Sequence, residues 1–350
     1  MPLSFSIPPV AFGLSLSDHA VKIAQLRHRR HDISVDFVAT SALPAGLIEG
    51  GELKDHAKTT AAIAKALEPF RKTLAPGVVA AVPEAKTFIQ TISVPKKEGA
   101  SFDTQLISTL PQCLPVPIDD VYYDAAIVSE TPAAWTTLVG AVARPIVDSY
   151  IKLLEALDFV PFALESKAAA IARAVIPVIE QRRTVGVINL SREHGYLVVH
   201  DNNAIQFTLS LSISGDDITK RIASALDLSP EQAEKAKITC GLDPRRCEGV
   251  LKTILRDNLI SLVTQLKQAR EFYLDHFPDA RDFDEILLCG GGAHLYSLDQ
   301  MLAEELALPV RLADIWQNVK ISAKPTLDVP LRYATAVGLA LRGLNVEHSL

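Results

Sequence analysis

The stretch DFDEILLCGGGAHLYSLDQML, residues 282–302, joins an apolar run, three glycines and an amphipathic helix pattern. Residues 286–289 have the length and composition of a strand that is buried on both faces. Because Gly290, Gly291 and Gly292 carry no side chains, a flat ligand can approach the backbone closely, and the helix that follows offers unpaired N–H groups. The same pattern also fits a tight strand-to-helix turn that binds nothing. This stretch alone does not distinguish the two interpretations, so the rest of the chain has to be considered.

The amino-acid composition is that of a folded protein and argues against nucleic acid as a partner. With 350 residues, of which 48% are hydrophobic and 22% charged, the chain is long enough for about two domains with proper cores. Its net charge of −6 and pI of 5.9 give no electrostatic support for binding DNA or RNA. We therefore expect no nucleic-acid partner.

Cysteine usage and hydropathy indicate a cytosolic protein. Cys113, Cys240, Cys247 and Cys289 have no C-x-x-C spacing, which predicts reduced thiols and neither metal ligands nor disulfides. The histidines form no His-x-x-x-His pair, so no metal site is expected. No window approaches ~18 consecutive apolar residues, and the first residues lack the pattern of a signal peptide. We expect the protein to reach a membrane only through a partner.

Two stretches of the chain share one layout. FGLSLSDHAVKIAQL, residues 12–26, and VGVINLSREHGYLVV, residues 185–199, each contain a glycine, a strand, a polar turn that begins with serine and a second strand. Internal repetition of this kind predicts two domains of like fold. Hydrophobic periodicity and Gly/Pro signals predict helices at 52–74, 102–113, 146–157, 167–175, 216–226, 230–238, 248–276 and 332–344, and further strands at 78–82, 87–94, 121–128, 135–142, 160–164 and 309–312.

The order of these elements predicts a domain organisation in which one unit is inserted into another. A β-α-β-β unit between residues 86 and 144 is long enough to hold a small core of its own. The predicted segments are a first domain (1–85), an inserted module (86–144), the return of the first domain (145–183), a second domain (184–330) with a helical subdomain (about 215–278), and a C-terminal helix (331–350) that packs back on the first domain.

The duplicated hairpins and the late strand-GGGA-helix resemble the actin-like ATPase superfamily, whose domains have an α/β, ribonuclease H-like fold. The inserted β-α-β-β module resembles the FtsA/PilM branch, and within it the PilM family of type IV pilus assembly; the GspL component of type II secretion is a relative. The likeness spans nearly the whole chain. It is carried by FGLSLSDHAVKIAQL, ALESKAAAIARAV, ISGDDITKRIASALDLSPEQAEKAK, EILLCGGGAHLYSLDQMLAEELALPV and YATAVGLALRGL.

The resemblance implies an ATP cleft in which the residues that hold the divalent cation have been replaced. The family's first hairpin carries an Asp that helps to hold the cation and a Gly beside the phosphates, and here these are Ser15 and Ser17. The family's second Asp-x-Gly reads Asn189-Leu190-Ser191 in this chain. Neutral groups thus replace both carboxylates, although Mg²⁺ prefers charged oxygen ligands. ATP binding stays open, and efficient metal-assisted hydrolysis is not expected.

The nucleoside side of the implied cleft is better preserved. The glycine run and Ala293 stand where the family has its adenosine turn, and Gly215 is what remains of its second glycine pair. Glu234 and Lys237 match an AE-x-x-K pattern that flanks the ribose and base in relatives. A Glu-Lys pair at this spacing is also an ordinary solvated helix pair worth about 0.3 kcal/mol.

Three further residues have two interpretations each. Asp18 is a metal partner through water or an Asp that caps its turn. Lys22, which matches the family's Val-Lys, faces the cleft or points outward from its strand. Glu165 orients a water near the phosphates or merely favours the start of the next helix.

The resemblance implies a scaffold as the leading function. In the family, the N-terminal cytoplasmic peptide of the inner-membrane protein PilN docks between the first domain and the inserted module. Residues 87–94 or 135–142 would offer strand edges for such a peptide. The protein would then lie in the cytoplasm at the inner membrane, held there by its partner, and would contact other pilus assembly proteins.

Three alternatives stay open at the level of sequence. One is an active ATPase or nucleotide switch like FtsA, which would polymerise through self-association. Another is a GspL-like component of type II secretion. The third is a sugar kinase of the same superfamily, although the large sugar-binding insertions of such kinases are not evident.

Overall fold

The computed structural model describes residues 11–29, 32–178, 182–277, 279–319 and 325–344. The strands are β1 (Ala11–Ser17), β2 (Ala20–Arg29), β3 (Asp32–Ala42), β4 (Ile48–Glu49), β5 (Glu52–Leu53), β6 (Gly77–Val82), β7 (Thr87–Pro95), β8 (Val121–Glu130), β9 (Ala134–Ala143), β10 (Val160–Ser166), β11 (Val185–Leu190), β12 (Gly195–Asp201), β13 (Ala204–Leu211), β14 (Glu285–Cys289) and β15 (Val310–Leu312). The helices are α1 (His56–Leu67), α2 (Phe102–Cys113), α3 (Arg144–Ala156), α4 (Lys167–Val175), α5 (Gly215–Leu226), α6 (Pro230–Cys240), α7 (Val250–Ile254), α8 (Arg256–His276), α9 (Leu298–Leu306) and α10 (Ala334–Leu344).

The two main sheets repeat one topology. In the first sheet the order is β10-β6-β1-β2-β3, and in the second it is β15-β14-β11-β12-β13. In each, the first strand of a hairpin pairs antiparallel with its successor and parallel with a later strand, as β1 does with β2 and β6, and β11 with β12 and β14. The internal repetition of the two hairpins in the sequence therefore corresponds to a repeated sheet.

Helices α4 and α10 lie between the two sheets, where small residues allow close backbone contact. A Cβ atom on Gly338 of α10 would lie 1.7 Å from the carbonyl oxygen of Ala170 in α4. One on Gly13 of β1 would lie 2.2 Å from the carbonyl oxygen of Ala336. The outer face of the first sheet is covered by α1 and α3, which complete a second core. The small face predicted for the last helix thus contacts both a helix and a strand.

The β-α-β-β unit has a core of its own and also extends the second sheet. Helix α2 packs on one face of β7, β8 and β9. On its other side β7 meets β13 through the pair Gln90 and Phe207, and the Thr91 hydroxyl donates to the carbonyl oxygen of Ile205 at 2.7 Å. The strand order of the enlarged sheet ends with β13-β7-β9-β8.

The helices expected at 52–74 and 248–276 differ from the structure. The helix expected at 52–74 begins only at His56, because residues 52–53 pair as β5 and Asp55 caps the first turn. It ends at Leu67 and passes into a 3₁₀ turn that contains Pro69, whose ring cannot continue an α-helix. The helix expected at 248–276 is divided into α7 and α8. Those expected at 102–113 and 167–175 coincide with α2 and α4.

The prediction of four reduced cysteines was wrong for two of them. Cys240 and Cys247 form a disulfide, with 5.6 Å between their Cα atoms, because the chain turns back after α6. Cys113 and Cys289 are free thiols, as predicted. Among the helices that the structure describes, none is long and apolar enough to cross a membrane.

Candidate functional site

The three glycines after β14 have different surroundings. Gly290 has φ 82°, and a Cβ atom there would lie 2.4 Å from the carbonyl oxygen of Leu190 at the end of β11. A Cβ atom on Gly292 would lie 2.9 Å from the Leu190 Cβ atom, whereas one on Gly291 would meet no atom within 4 Å. Packing against β11 therefore excludes larger residues at Gly290 and Gly292. Gly291 alone of the three faces open space, where a ligand can approach it.

The helix after the glycines begins later than predicted. Residues Gly291–His294 form a 3₁₀ turn, in which the buried Ala293 donates its N–H to the carbonyl oxygen of Gly290 at 3.3 Å. Helix α9 starts at Leu298, after Ser297 with φ 63°. The expectation that a helix start presents its free N–H groups directly at the glycine run was wrong, because this extra turn separates them.

The first hairpin places its predicted residues opposite one another. Ser15 on β1 is buried and lies in register with Lys22 on β2, so both belong to the same end of the hairpin. The Ser17 hydroxyl lies 3.4 Å from the carbonyl oxygen of Ala20 across the turn. Burial and the nearby Lys167 lower the pKa of Lys22 to about 8, and among the groups it faces is Cys289, which directly precedes the glycine run. Of the two interpretations of Lys22, the one in which it faces the cleft fits this position.

The two carboxylates singled out as weak catalytic candidates both have protein partners. Asp18 accepts hydrogen bonds from the backbone N–H groups of the β4–β5 turn at 2.8 and 3.1 Å. Glu165 is buried and accepts two hydrogen bonds from Arg173, at 2.6 and 2.9 Å, and one from Arg342 at 2.5 Å. These partners tie β10 to α4 and α10. The structure therefore gives both carboxylates contacts that hold elements of the fold together.

The second hairpin is docked on the start of α5. The backbone carbonyls of Ser191 and Arg192 accept from the N–H groups of Gly215, at 2.9 Å, and Asp216, at 2.8 Å. The Ser191 hydroxyl donates across its own turn at 2.8 Å. Asn189 is buried at the end of β11, with its Oδ1 atom beside Gly290. The hairpin, the glycine run and the start of α5 therefore form one packed unit.

Glu234 and Lys237 belong to a network between α5 and α6. The Lys237 ammonium lies 2.6 Å from a Glu234 carboxylate oxygen, and it donates to the Thr219 hydroxyl at 2.8 Å and to the Gly215 carbonyl oxygen at 3.1 Å. Its side chain is only 13% exposed. Lys237 is therefore not part of an ordinary solvated helix pair, and its contact with Gly215 places the network directly behind the second hairpin.

Lys167, which the sequence pattern did not single out, contacts the first hairpin. It is the first residue of α4, directly after the capping Ser166, and its ammonium donates to the Leu16 carbonyl oxygen at 2.9 Å. That carbonyl lies between the two serines of the first hairpin. Burial lowers the pKa of Lys167. The sequence feature that could have indicated Lys167 is its place in the stretch ALESKAAAIARAV, because it is the first residue of the helix that follows β10.

A cavity of about 490 Å³ lies beside the second hairpin, and its residues were also not predicted. Burial raises the pKa of Glu84 to about 7 and also raises the pKa of Tyr196. Within the described residues, the Glu84 Oε1 atom and the Tyr196 hydroxyl have no hydrogen-bond partner. The lining includes three acidic residues, Glu84, Glu193 and Asp217. None of the three glycines lines this cavity, so it is separate from the glycine run.

The residues in the cleft do not suit a divalent cation. Throughout the described ranges, no three His, Cys, Asp or Glu side chains are grouped so that they could hold a metal. Ser15 and Asn189 place neutral groups at the positions where the resemblance expects carboxylates, and the carboxylate of Asp18 is bound to a turn. Mg²⁺ prefers charged oxygen ligands, so these residues do not fit it.

Comparisons with known proteins agree on family and fold. A family model described as type IV pilus assembly protein PilM matches residues 13–344. A solved PilM-PilN type IV pilus biogenesis complex is similar, with a TM-score of 0.80 and 24% identity, over 96% of this chain and 99% of that one.

More distant structures share the actin-like fold. MreB 5 of Spiroplasma citri bound to AMPPNP has a TM-score of 0.57 and 11% identity, over 98% of this chain and 100% of that one. The ethanolamine utilization protein EutJ of Carboxydothermus hydrogenoformans has a TM-score of 0.55 and 12% identity, over 95% of this chain and 90% of that one. The predicted α/β, actin-like fold is confirmed.

Proposed function

Because the chain belongs to the type IV pilus assembly protein PilM family, we propose that it is a cytoplasmic scaffold of a pilus assembly machine. It binds the N-terminal peptide of a PilN-like inner-membrane protein and is held at the inner membrane by that partner. The observation that carries this proposal is the family match over residues 13–344, supported by similarity to a PilM-PilN complex along 96% of the chain.

Strand β8 offers the edge that best suits an incoming peptide. Neither of the edges expected at 87–94 and 135–142 lies at the end of the sheet. Strand β7 pairs with β13 and β9, and β9 pairs with β7 and β8. Within the described residues β8 pairs with β9 alone, so its second edge is free for an added strand. Tyr122, Tyr123 and Ile127 on β8 are 44%, 38% and 47% exposed, which provides apolar contacts for alternate side chains of a peptide.

The same strand contacts the first domain. The Tyr122 hydroxyl donates to Asp148 of α3 at 3.2 Å, and the Arg144 guanidinium lies 4.3 Å from the centre of the Tyr122 ring. A peptide along β8 would therefore lie at the boundary between the inserted module and the first domain. Its docking would use main-chain hydrogen bonds for affinity and the exposed side chains for specificity.

We also propose that the cleft between the two sheets binds a nucleotide without efficient hydrolysis. Binding is supported by the open space at Gly291 and by the fold shared with an MreB that carries AMPPNP. Efficient hydrolysis is opposed by the structural contacts of Asp18 and Glu165 and by the neutral residues at the metal end. The alternative is an active, polymerising ATPase.

A binding experiment tests the scaffold. We would titrate the full chain with a labelled N-terminal peptide of a PilN-like protein from the same organism and compare wild type, Ile127→Asp and Ile260→Asp. Ile260 lies on α8 and is 54% exposed, which makes it a matched control. A charge on the receiving edge should weaken binding by about tenfold or more, and the control should bind as wild type.

Two results would contradict these proposals separately. Absence of peptide binding to the wild type would contradict the scaffold proposal. Equal binding by all three proteins would contradict only the assignment of the peptide site to β8. Phosphate release is followed in parallel with ATP and Mg²⁺. Sustained turnover, with sedimentation of filaments, would favour the active ATPase instead.

A further inference from the structure

The cavity beside the second hairpin presents negative charge and hydrogen-bond acceptors. Its volume of about 490 Å³ lies within the range of about 300–1,000 Å³ that is usual for small-molecule sites. Three carboxylates line it, those of Glu84 after β6, Glu193 at the turn of the second hairpin and Asp217 on α5. Among the described residues of this lining there is no lysine or arginine. The lining therefore favours a positively charged occupant.

Two oxygen atoms of the lining are buried without a partner. The Oε2 atom of Glu84 accepts from the backbone N–H of Ala168 at 2.9 Å, but in the described part of the chain the Oε1 atom has no hydrogen-bond partner. The same is true of the hydroxyl of Tyr196, a residue that is only 3% exposed. Buried polar atoms in folded proteins nearly always have a partner. Because both residues line the cavity, an N–H donor bound there would supply the missing one.

The neighbouring cations do not offset the burial of Glu84. Lys167 faces Glu84 and Glu193. Lys22 faces Glu193, and neither lysine lines the cavity. The Thr208 hydroxyl also favours the charged form of Glu84. Burial nevertheless raises the pKa of Glu84 to about 7, so these neighbours leave part of the desolvation cost uncompensated. A cation in the cavity would compensate it.

The carboxylates are arranged for an extended ligand and not for a metal ion. Throughout the residues that the structure describes, no three His, Cys, Asp or Glu side chains are grouped so that they could hold a metal. A divalent cation needs several oxygen ligands within about 2.0–2.6 Å. One oxygen of Asp217 is also engaged by the Ser214 hydroxyl at 2.6 Å. Acceptors that are spread over the lining suit a ligand with more than one N–H group.

We propose that this cavity binds a small organic cation with two nitrogen groups, of the diamine or alkylguanidine class. One group donates charge-assisted hydrogen bonds to the Oε1 atom of Glu84 and to the hydroxyl oxygen of Tyr196. Glu193 and Asp217 attract the second group. Because Glu84 follows β6 of the first sheet and Tyr196 lies on β12 of the second, the bound cation connects the two sheets. The site uses neither the glycine run nor β8, so it does not rest on the functions proposed above.

Affinity for the cation should rise with pH. The cation favours the charged form of Glu84, so binding releases a proton wherever Glu84 is protonated in the free protein. The pKa of Glu84 in the free protein is about 7. Affinity should therefore be highest above that value and should fall by up to about tenfold per pH unit below it. The titratable groups that face Glu84 are Lys167 of α4 and Tyr196 of β12, and His194 lines the same cavity.

Calorimetric titration of the full chain with agmatine at pH 6 and pH 8, in a buffer free of amines, tests the proposal. Wild type should bind agmatine more tightly at pH 8 than at pH 6, and should bind butylamine, which has one nitrogen, more weakly. Glu84→Gln should lose about tenfold or more of the affinity at pH 8 and should bind nearly equally at both pH values. Glu271→Gln, at an exposed glutamate on α8, is the matched control and should bind as wild type.

A second variant tests the site without a change of charge. Tyr196→Phe keeps the buried ring and removes the hydroxyl that lacks a partner. It should lower the affinity for agmatine by about threefold to tenfold at both pH values. Thermal unfolding of each variant identifies loss of binding that is due to loss of the fold.

The outcomes separate this inference from the functions proposed above. Absence of agmatine binding to the wild type at pH 8, or unchanged affinity in both variants, would overturn the site. Displacement of agmatine by an equal concentration of MgCl₂ would identify a metal site instead. A pH dependence that persists in Glu84→Gln would assign it to another group, such as His194, and overturn the role of Glu84. None of these results would alter the binding of peptide or ATP, which test the scaffold and the nucleotide cleft.

Discussion

Substitution of the three glycines one at a time separates their roles in the fold from their role at a ligand. Gly290 has φ 82° and ψ 170°, a backbone conformation that costs alanine about 1–3 kcal/mol. A Cβ atom 2.4 Å from the Leu190 carbonyl oxygen forces a local shift worth about 1–3 kcal/mol more. We therefore expect Gly290→Ala to lower the free energy of unfolding by about 4 kcal/mol.

Gly291→Ala should leave the stability unchanged and weaken ATP binding. Its Cβ atom would meet no atom within 4 Å, so the substitution should leave the free energy of unfolding within about 0.5 kcal/mol of wild type. The added methyl group would occupy the space through which a nucleotide approaches the backbone. We expect ATP affinity to fall by about tenfold or more.

Two measurements on each variant check this prediction. With about 2.1 cal/mol/K of unfolding entropy per residue and 350 residues, a loss of about 4 kcal/mol corresponds to a Tm lower by about 5 °C. Gly290→Ala should show that shift, and Gly291→Ala should show only the loss of ATP affinity by calorimetry. If Gly290→Ala is as stable as wild type, the packing argument is wrong. If Gly291→Ala binds ATP normally, the glycine run is not the nucleoside site.

Three further predictions concern stability. Glu165→Gln should lower the free energy of unfolding by about 3–5 kcal/mol in urea, because it leaves two arginines without their buried partner, and a loss below about 1 kcal/mol would contradict this. Cys247→Ser should cost about 2.5 kcal/mol by opening a loop with a sequence separation of 7, and reductant should then have no further effect on the variant. Burial lowers the pKa of His200 from 6.5 to about 4, so the unfolded state binds the proton first, and stability should fall by about 3 kcal/mol between pH 6.5 and 4. His200→Gln should flatten that part of the pH profile, and an unchanged profile would assign the loss to other groups.

Local pattern was enough to predict most of the fold. The two hairpins could be recognised because each joins alternating strands through a polar turn, and helices α2 and α4 have capping serines directly before their first residues. The family resemblance then supplied the arrangement of the two sheets, which no local pattern contains. The helix at 52–74 was predicted too long, because the Ala/Lys composition of this segment gives no indication that β5 pairs with β4.

Features that depend on distant contacts were not predictable in this way. The role of Lys167 depends on Leu16, far away in sequence, and the availability of a strand edge depends on which strands pair. The Cys240–Cys247 disulfide depends on the turn after α6. The three glycines look alike in sequence and differ only because Leu190 packs against two of them.

This difference among the glycines changes what the family motifs say about activity. Gly290, Gly292 and Gly338 are fixed by contacts with protein backbone or side chains, so a protein of this fold would need them whether or not it hydrolysed ATP. Retention of Gly290, Gly292 and the terminal small-residue helix is therefore evidence for the fold and carries no weight for catalysis. Among the described glycines of the run, Gly291 is the informative position, because a Cβ atom there would meet no atom within 4 Å. A loss of ATP affinity in Gly291→Ala would therefore distinguish the proposed nucleotide cleft from a turn that serves the fold alone.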